Sequence, residues 1–296
     1  MINRIITSQA YGGLGNRLLT ISSLYRVSKI LNAEFRLHWI DMPGVMEMPL
    51  GQFYNLPFDW EYTSELEGGD LYSPSTWSGR FYIPNSILEK ESFALDFGPG
   101  WYHCIWIEPD LIDFDDSTPG QLTNEIRLAL QTILQPSAEF SSYVDKFNPQ
   151  FDLGIHVRTA IADDFKQGQA AFGVWPDIDQ SQLVSATMEV INETCANTCF
   201  IASPSREIED ILMDVITRSG VNCASTRSLF DTSHFSADEL LHLDFHYLCK
   251  CSNIFRRSVS TFSGVAAIVA SSNQFVFDND YQITRSAPLL FSGRGL

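Results

Sequence analysis

The chain has 296 residues, which at about 150 residues per domain means two lobes or one large domain. Its composition, 45% apolar and 19% charged, is that of an ordinary globular protein rather than a disordered one. Nineteen Lys and Arg against 36 Asp and Glu leave a formal charge of −17. This excludes nucleic-acid binding through a broad basic face, because neutralising phosphates needs clustered cations. An acidic chain binds a phosphorylated small molecule only through a local group of Arg and backbone N–H donors.

The opening reads as strand, glycine turn, helix, strand. Ile5 and Ile6 lie in a short apolar stretch, Gly12-Gly13-Leu14-Gly15 makes a turn, and Asn16 is placed to cap a helix. Leu18, Leu19, Ile21, Leu24, Tyr25, Val27 and Leu31 then recur at helical spacing, and Phe35, Leu37 and Trp39 alternate as in a strand. This is a βαβ unit, which implies a parallel sheet. The stretch 42–102, rich in Pro, Gly, aromatic and acidic residues, gives no assignable element. A strand over His103–Ile107 and a helix over Gln121–Leu134 follow.

The α/β rhythm restarts after Asn148-Pro149, which sets a boundary between lobes at 1–149 and 150–296. Strands are expected at Phe151–Val157, Cys199–Ala202, Asn253–Phe255 and Phe275–Phe277. Helices are expected at Gln182–Ile191, Glu207–Arg218, Ala237–Cys249 and Val265–Ala270. The fold class is therefore α/β, two Rossmann-like lobes with a ligand cleft between them, outside the carboxyl ends of the strands.

No apolar run reaches the ~18 residues of a membrane-spanning helix. Met1–Ile6 is also too short, and too soon broken by Thr7, Ser8 and Gln9, for a secretory apolar core. The expectation is a cytoplasmic protein without a transmembrane segment, with peripheral attachment to a membrane compatible with that. Cys195-x3-Cys199 and Cys249-x-Cys251 lack zinc-ligand spacing, so buried free thiols are the better reading and no metal site is expected.

Three segments have the residue types of a ligand site. Gly13-Leu14-Gly15-Asn16-Arg17-Leu18 begins like a dinucleotide fingerprint, but Leu18 stands where the third Gly or Ala belongs. Glu34, about 20 residues on, keeps an NAD reading open, and a plain strand-to-helix turn is the bland alternative. In Ile155-His156-Val157-Arg158, alternation along a strand sends His156 and Arg158 to the same side at its carboxyl end. Arg is the side chain best suited to grip phosphate oxygens; a structural pairing of Arg158 with Asp163 or Asp164 is the alternative. Ser260-Thr261-Phe262-Ser263-Gly264 enters a helix, where hydroxyls and free N–H groups suit a phosphate and also suit ordinary capping.

Gly-Gly-Leu-Gly-Asn-Arg from Gly12, Ile-His-Val-Arg from Ile155, Leu243-Asp244-Phe245-His246-Tyr247-Leu248 and Ser260-Thr261-Phe262-Ser263 come in an order that resembles the fucosyltransferase superfamily. The likeness is to its α-1,6 branch of rhizobial nodulation and eukaryotic core fucosyltransferases. That resemblance implies a GT-B-like fold and an inverting, metal-independent transfer of fucose from GDP-fucose to a glycan hydroxyl, with GDP-fucose as donor substrate and no cofactor. By position it implies Arg158 on the pyrophosphate, His156 on the nucleoside and Asp244 on the guanine. Ser260, Thr261, Phe262 and Ser263 would serve the phosphates and base, with Gly13, Gly15, Asn16 and Arg17 on the donor from the first lobe.

The chain departs from the family pattern in two places. Thr159-Ala160-Ile161 replaces the second Arg and the acid that follow the family's H-x-R, and Ala202-Ser203-Pro204-Ser205 replaces an acidic element. Asp163 and Asp164, close to Arg158 in sequence, become the candidates for a catalytic base, and Gln169 stands roughly where an acid is expected. The competing functions are a GT-B transferase for another nucleotide sugar and a non-catalytic module that binds a sugar nucleotide or glycan. Trp60, Trp77, Tyr82 and Trp101 suit sugar stacking in any of these, and suit an ordinary core equally.

Overall fold

In the computed structural model of the chain, the described residues are 4–41, 46–60, 70–71, 80–83, 85–100, 102, 104–107, 118–147, 149–158, 178–258 and 260–287. The chain forms two compact units, Met1–Tyr143 and Val144–Leu296.

Unit 1 opens with β1 (Arg4–Ala10), α1 (Leu14–Ile30) and β2 (Glu34–Trp39), the βαβ unit expected from the sequence. β1 and β2 pair in parallel from Ile5↔Glu34 to Ala10↔Trp39. Next come β3 (Asp70–Leu71), β4 (Arg80–Ile83), α2 (Asn85–Leu88) and β5 (Phe93–Gly100), all within the stretch 42–102, where residue pattern alone assigns no element. β6 (Cys104–Ile107), α3 (Thr118–Ile133) and α4 (Ala138–Val144) complete the unit. Among the described residues the main sheet runs β2-β1-β5-β3, and β4 pairs with β6 separately.

The glycine turn differs from expectation in one respect. α1 begins at Leu14 with Gly13 as its N-cap, so Asn16 sits inside the first turn and does not cap the helix. The reversal is made one residue earlier, by Gly12 at φ +85°, a left-handed conformation that glycine adopts without steric cost. α1 is buried nearly all round, because β6 and α3 cover the side away from the sheet. Its polar residues are matched to that cover. Ser23 accepts from Ile105 N at 2.8 Å, Thr20 accepts from Tyr102 N at 3.0 Å, and Arg26 pairs with Glu125 on α3.

Unit 2 comprises β7 (Phe151–His156), α5 (Gln180–Thr194), β8 (Thr198–Ala202), α6 (Arg206–Arg218), β9 (Asn222–Ser225) and α7 (Thr226–Leu229). It continues with α8 (Ala237–Leu248), β10 (Cys251–Arg257), α9 (Thr261–Ala270), β11 (Asn273–Phe277) and β12 (Ile283–Ser286). Its sheet order is β12-β11-β10-β7-β8-β9, parallel except for β12 against β11. Leu153, Ile155, Ile201, Phe255 and Phe277 form its core with Leu183 and Val190 of α5 and Leu212 and Ile216 of α6. Each such side chain contributes about 1.5–3 kcal/mol of burial. α5 is capped by Asp179, whose side chain accepts from Ser181 N and Gln182 N, and α8 by a reciprocal Ser236–Glu239 box.

The order of this sheet locates its ligand edge. From β7 the chain builds outward to β8 and β9 on one side, then returns to add β10 and β11 on the other. The direction therefore reverses between β7 and β10, and the crevice beyond the carboxyl ends of strands at such a switch point is where open α/β sheets bind ligands.

Candidate functional site in unit 2

The residues at the β7/β10 switch point come from three separate stretches of sequence. His156 closes β7, and the parallel register pairs it with Arg256 near the end of β10. Register partners on neighbouring parallel strands point to the same face, which puts the imidazole and a guanidinium side by side. α9 begins just beyond β10. Ser260 Oγ lies 3.2 Å from His156 Nδ1, and the Phe262 ring sits 5.1 Å from the imidazole centroid. Phe262 in turn meets Phe245 of α8 edge-on at 5.4 Å, which brings the neighbourhood of Asp244 to the same place.

The local electrostatics are positive in an otherwise acidic chain. His156 is held neutral, its pKa driven down to about 3 by burial, with Arg158 and Arg256 adding repulsion. Burial also lowers Arg158 and takes Arg256 down to about 10, so both remain cationic at neutral pH. Arg256 is almost wholly buried and anchored: its Nε donates to Gln274 Oε1 at 2.5 Å and its Nη1 to Ser260 O at 3.2 Å. Arg257 reaches the Arg158 carbonyl at 3.5 Å and Asn279 Oδ1 at 3.1 Å, tying the end of β10 to the end of β7.

The N-terminus of α9 is built for an anion. Ser260 is its N-cap but makes no side-chain cap bond, because its hydroxyl is turned to His156. The first intrahelical bond is Gly264 N to Ser260 O at 3.3 Å, so the N–H groups of Thr261, Phe262 and Ser263 have no acceptor within the helix. Ser263 Oγ is fully buried and has no hydrogen-bond partner among the described residues. Together these donors and the helix dipole favour negative charge.

Asp244 lies on α8, half-buried, and accepts from Thr226 Oγ1 at 2.5 Å. Desolvation raises its pKa to about 7 and Glu209 adds to the rise, while the Thr226 bond and Arg227 oppose it.

The structure thus brings His156, Arg158, Ser260, Thr261, Phe262 and Ser263 around one switch point in unit 2, while Asp244, next to Phe245 on α8, bonds to Thr226. Gly13, Gly15, Asn16 and Arg17 belong to the turn of unit 1, at the carboxyl end of β1. There Arg17 is fully buried. Its Nε donates to Gly12 O at 2.6 Å, its Nη2 to Ile40 O at 2.8 Å, and its guanidinium stacks 4.2 Å from the Trp39 ring. That side chain holds its own turn in shape. Asn16 Oδ1 has no hydrogen-bond partner among the described residues. Asp163 and Asp164 lie outside the described residues, as do Gln169, Trp77 and Trp101. Trp60 packs on Gly51, where a Cβ would stand 2.2 Å from the indole.

Sequence reasoning missed Arg256 and Arg257, since the expected strand stops at Phe255. The signal was present: two Arg directly follow an apolar strand and precede the Ser-rich turn. Among the described residues no group of three or more His, Cys, Asp or Glu is placed to hold a metal ion. No described helix is long and apolar enough to cross a membrane. The described cysteines are free, with Cys199 and Cys251 buried and Cys195 exposed.

No protein-family model and no curated protein matches the sequence. Solved structures do. The fucosyltransferase NodZ from Bradyrhizobium superposes with a TM-score of 0.58 at 12% identity, covering 97% of this chain and 99% of that one. An Arabidopsis thaliana FUT1 mutant in complex with GDP gives 0.58 at 12% identity, covering 96% and 74%. POFUT1 in complex with GDP gives 0.52 at 10% identity, covering 92% and 96%. These likenesses show that the chain has the two-unit α/β fold of these GT-B fucosyltransferases.

Proposed function

We propose that the chain is an inverting glycosyltransferase that moves fucose from GDP-fucose to a hydroxyl of a glycan without a metal ion. The observation that carries this reading is the meeting of Arg158, neutral His156, Arg256 and the open N-terminus of α9 at the β7/β10 switch point. A diphosphate needs this kind of local cationic and N–H-rich pocket in a chain of charge −17. The shared fold supports it further, because NodZ has been soaked with GDP-fucose and both FUT1 and POFUT1 have been studied in complex with GDP.

In this reading the bond from the fucose anomeric carbon to the β-phosphate oxygen breaks with its electron pair staying on GDP. The acceptor oxygen bonds to the opposite face of that carbon and gives up its proton. Arg158 stabilises the charge that grows on the departing diphosphate, and the N–H groups of Phe262 and Ser263 with the Ser263 hydroxyl add donors aimed at the same charge. His156, being neutral, binds the nucleoside by hydrogen bonding and ring contact. Asp244 reads guanine, and Thr261, at the half-exposed rim of the helix end, is assigned to a phosphate. Asp163 and Asp164 are the proposed acceptors of the hydroxyl proton. In unit 1 we assign ligand binding to Gly13, Gly15 and Asn16, with Arg17 keeping their turn in shape.

The test is transfer from labelled GDP-fucose to a panel of glycans, read as GDP release and labelled product, beside thermal unfolding with GDP, UDP and NAD, each with and without chelator. A ligand at about 100 times its Kd adds roughly 2.7 kcal/mol of stability. The reading requires stabilisation by GDP compounds that chelator does not alter, and fucosylated product. Thr159-Ala160-Ile161, standing where the resemblance expects a second Arg and an acid, favours one further reading, a non-catalytic sugar-nucleotide module. GDP binding without turnover on any acceptor would select it.

A further inference from the structure

The carboxylate of Asp244 is held from one side only. Thr226 Oγ1 donates to Oδ1 at 2.5 Å, and no other hydrogen bond to this carboxylate is formed among the described residues. Thr226 is itself 2% exposed and sits at the first position of α7, so its hydroxyl has little freedom. What flanks it is locked in turn. Ser225 and Ser228 cap α7 reciprocally, Ser225 Oγ donates to Glu209 Oε1 at 2.6 Å, and Arg227 makes an ion pair with the buried Glu209. A single polar cluster thus ties α6, the β9–α7 junction and α8 together behind one carboxylate, and among the described residues leaves Oδ2 of that carboxylate without a hydrogen-bond partner.

We propose that Thr226, braced by Ser225, Glu209 and Arg227, is a positioning residue that fixes the plane of the Asp244 carboxylate and so selects a purine bearing adjacent N1–H and 2-amino donors. The inference rests on the GDP-sugar reading and adds to it the residue that sets base choice. Two neighbouring N–H donors are matched only by an ionised carboxylate whose two oxygens lie in the plane of the base. The terminal torsion of Asp is otherwise broad, so an unheld carboxylate spends much of its time out of that plane. The hydroxyl of Thr226 removes this freedom and, as a donor, favours the ionised form. A base lacking the 2-amino group loses one of the two bonds. A base with an acceptor at N1 sets a lone pair against the carboxylate, and sites built on such bonds reject the wrong partner strongly.

The experiment measures affinity of the full chain for GDP and for inosine diphosphate, which keeps N1–H and lacks the 2-amino group, in the wild type, Thr226→Val and Thr226→Ser. The wild type is expected to prefer GDP. Thr226→Val is expected to lose about tenfold of that preference, chiefly through weaker GDP binding, and Thr226→Ser to keep it, because the hydroxyl is retained. Thr226→Ala reads the same ratio if the Val variant does not fold. A Val or Ala variant that folds and keeps the wild-type preference overturns the proposal, as does a wild type that binds both nucleotides equally. In either case GDP binding itself stands, whereas a wild type that binds neither nucleotide overturns the GDP-sugar reading and this inference with it.

Discussion

Ser260 Oγ and His156 Nδ1 stand 3.2 Å apart although 104 residues separate them in sequence. This one contact joins the end of β7 to the start of α9. It diverts the hydroxyl that would normally cap the helix, so the first-turn N–H groups stay available, and it gives the buried imidazole its only polar partner among the described residues on that nitrogen. Capping has been exchanged for a preorganised end of a helix beside two guanidinium groups.

Removing that hydroxyl should be felt in both stability and binding. Ser260→Ala leaves His156 Nδ1 buried and unsatisfied, at a cost of about 1–3 kcal/mol. Calorimetric unfolding should show a lowered Tm, and GDP affinity should fall with it. An unchanged Tm would mean that water or another group replaces the hydroxyl.

Arg158→Lys separates charge from geometry. Lys keeps the positive charge beside His156 but loses the planar fork that matches two phosphate oxygens. The expected result is a fall in kcat of ~10²–10³, with the unfolding temperature unchanged. Near-wild-type transfer by this variant would remove Arg158 from the leaving-group role.

The pH dependence of folding follows from groups held far from their ordinary values. Burial holds His156 and His242 down to about 3 and His246 to about 4, against 6.5 in an unfolded chain. Below pH 6.5 the unfolded chain takes up protons that the folded one refuses, so this stability is full above 6.5 and is lost as the pH falls. Asp244 acts the other way. With its folded value raised to about 7 from 3.8, it favours the folded state at low pH and loses that contribution as the pH rises through 7. Between about pH 4.5 and 6 the histidines outnumber it, leaving a net uptake of roughly two protons on unfolding, or about 2.7 kcal/mol lost per pH unit. Urea midpoints measured from pH 7 to 5 should therefore drop steeply. A flat profile would show that the buried imidazoles are protonated in the folded chain.

The parts of this fold that could be read in the sequence are those where local pattern and tertiary role agree. The alternation around His156 and the Ser-rich entry to α9 carry their meaning within a few residues, so motif order alone brought them together. The spacing of apolar residues marks α1 but puts its start too late, at Asn16 rather than Gly13. Thr20, Ser23 and Arg26 are buried under α3, β6 and the residues just before β6 and are satisfied there, a circumstance that no periodicity encodes. β5 escaped notice because Asp96, Gly98, Pro99 and Gly100 break the apolar pattern, although Phe93, Leu95 and Phe97 are buried in it. Arg256 was missed for a similar reason. A buried Arg at a strand end looks like the end of the strand until its partners, Gln274 and the Ser260 carbonyl, are known.

Two glycines in unit 2 should respond oppositely to the same substitution. At Gly154, in the middle of β7, a Cβ would stand 2.8 Å from Cys251 Sγ and 2.9 Å from Leu248 Cδ2. Both neighbours are buried, so neither has room to withdraw. Gly154→Ala should overpack the seam between β7, β10 and α8, at about 1–3 kcal/mol. At Gly264, in the first turn of α9, a Cβ would meet the Arg256 guanidinium at 3.6 Å, an ordinary contact distance. Alanine there gains helix propensity over glycine, roughly 0.5–1 kcal/mol. Denaturant titration of both variants should show Gly154→Ala destabilised and Gly264→Ala neutral to stabilised, with GDP affinity kept in the second. Loss of GDP binding in a stable Gly264→Ala variant would mean that Arg256 must move when the ligand arrives, so that its anchoring by Gln274 and Ser260 describes only the free protein.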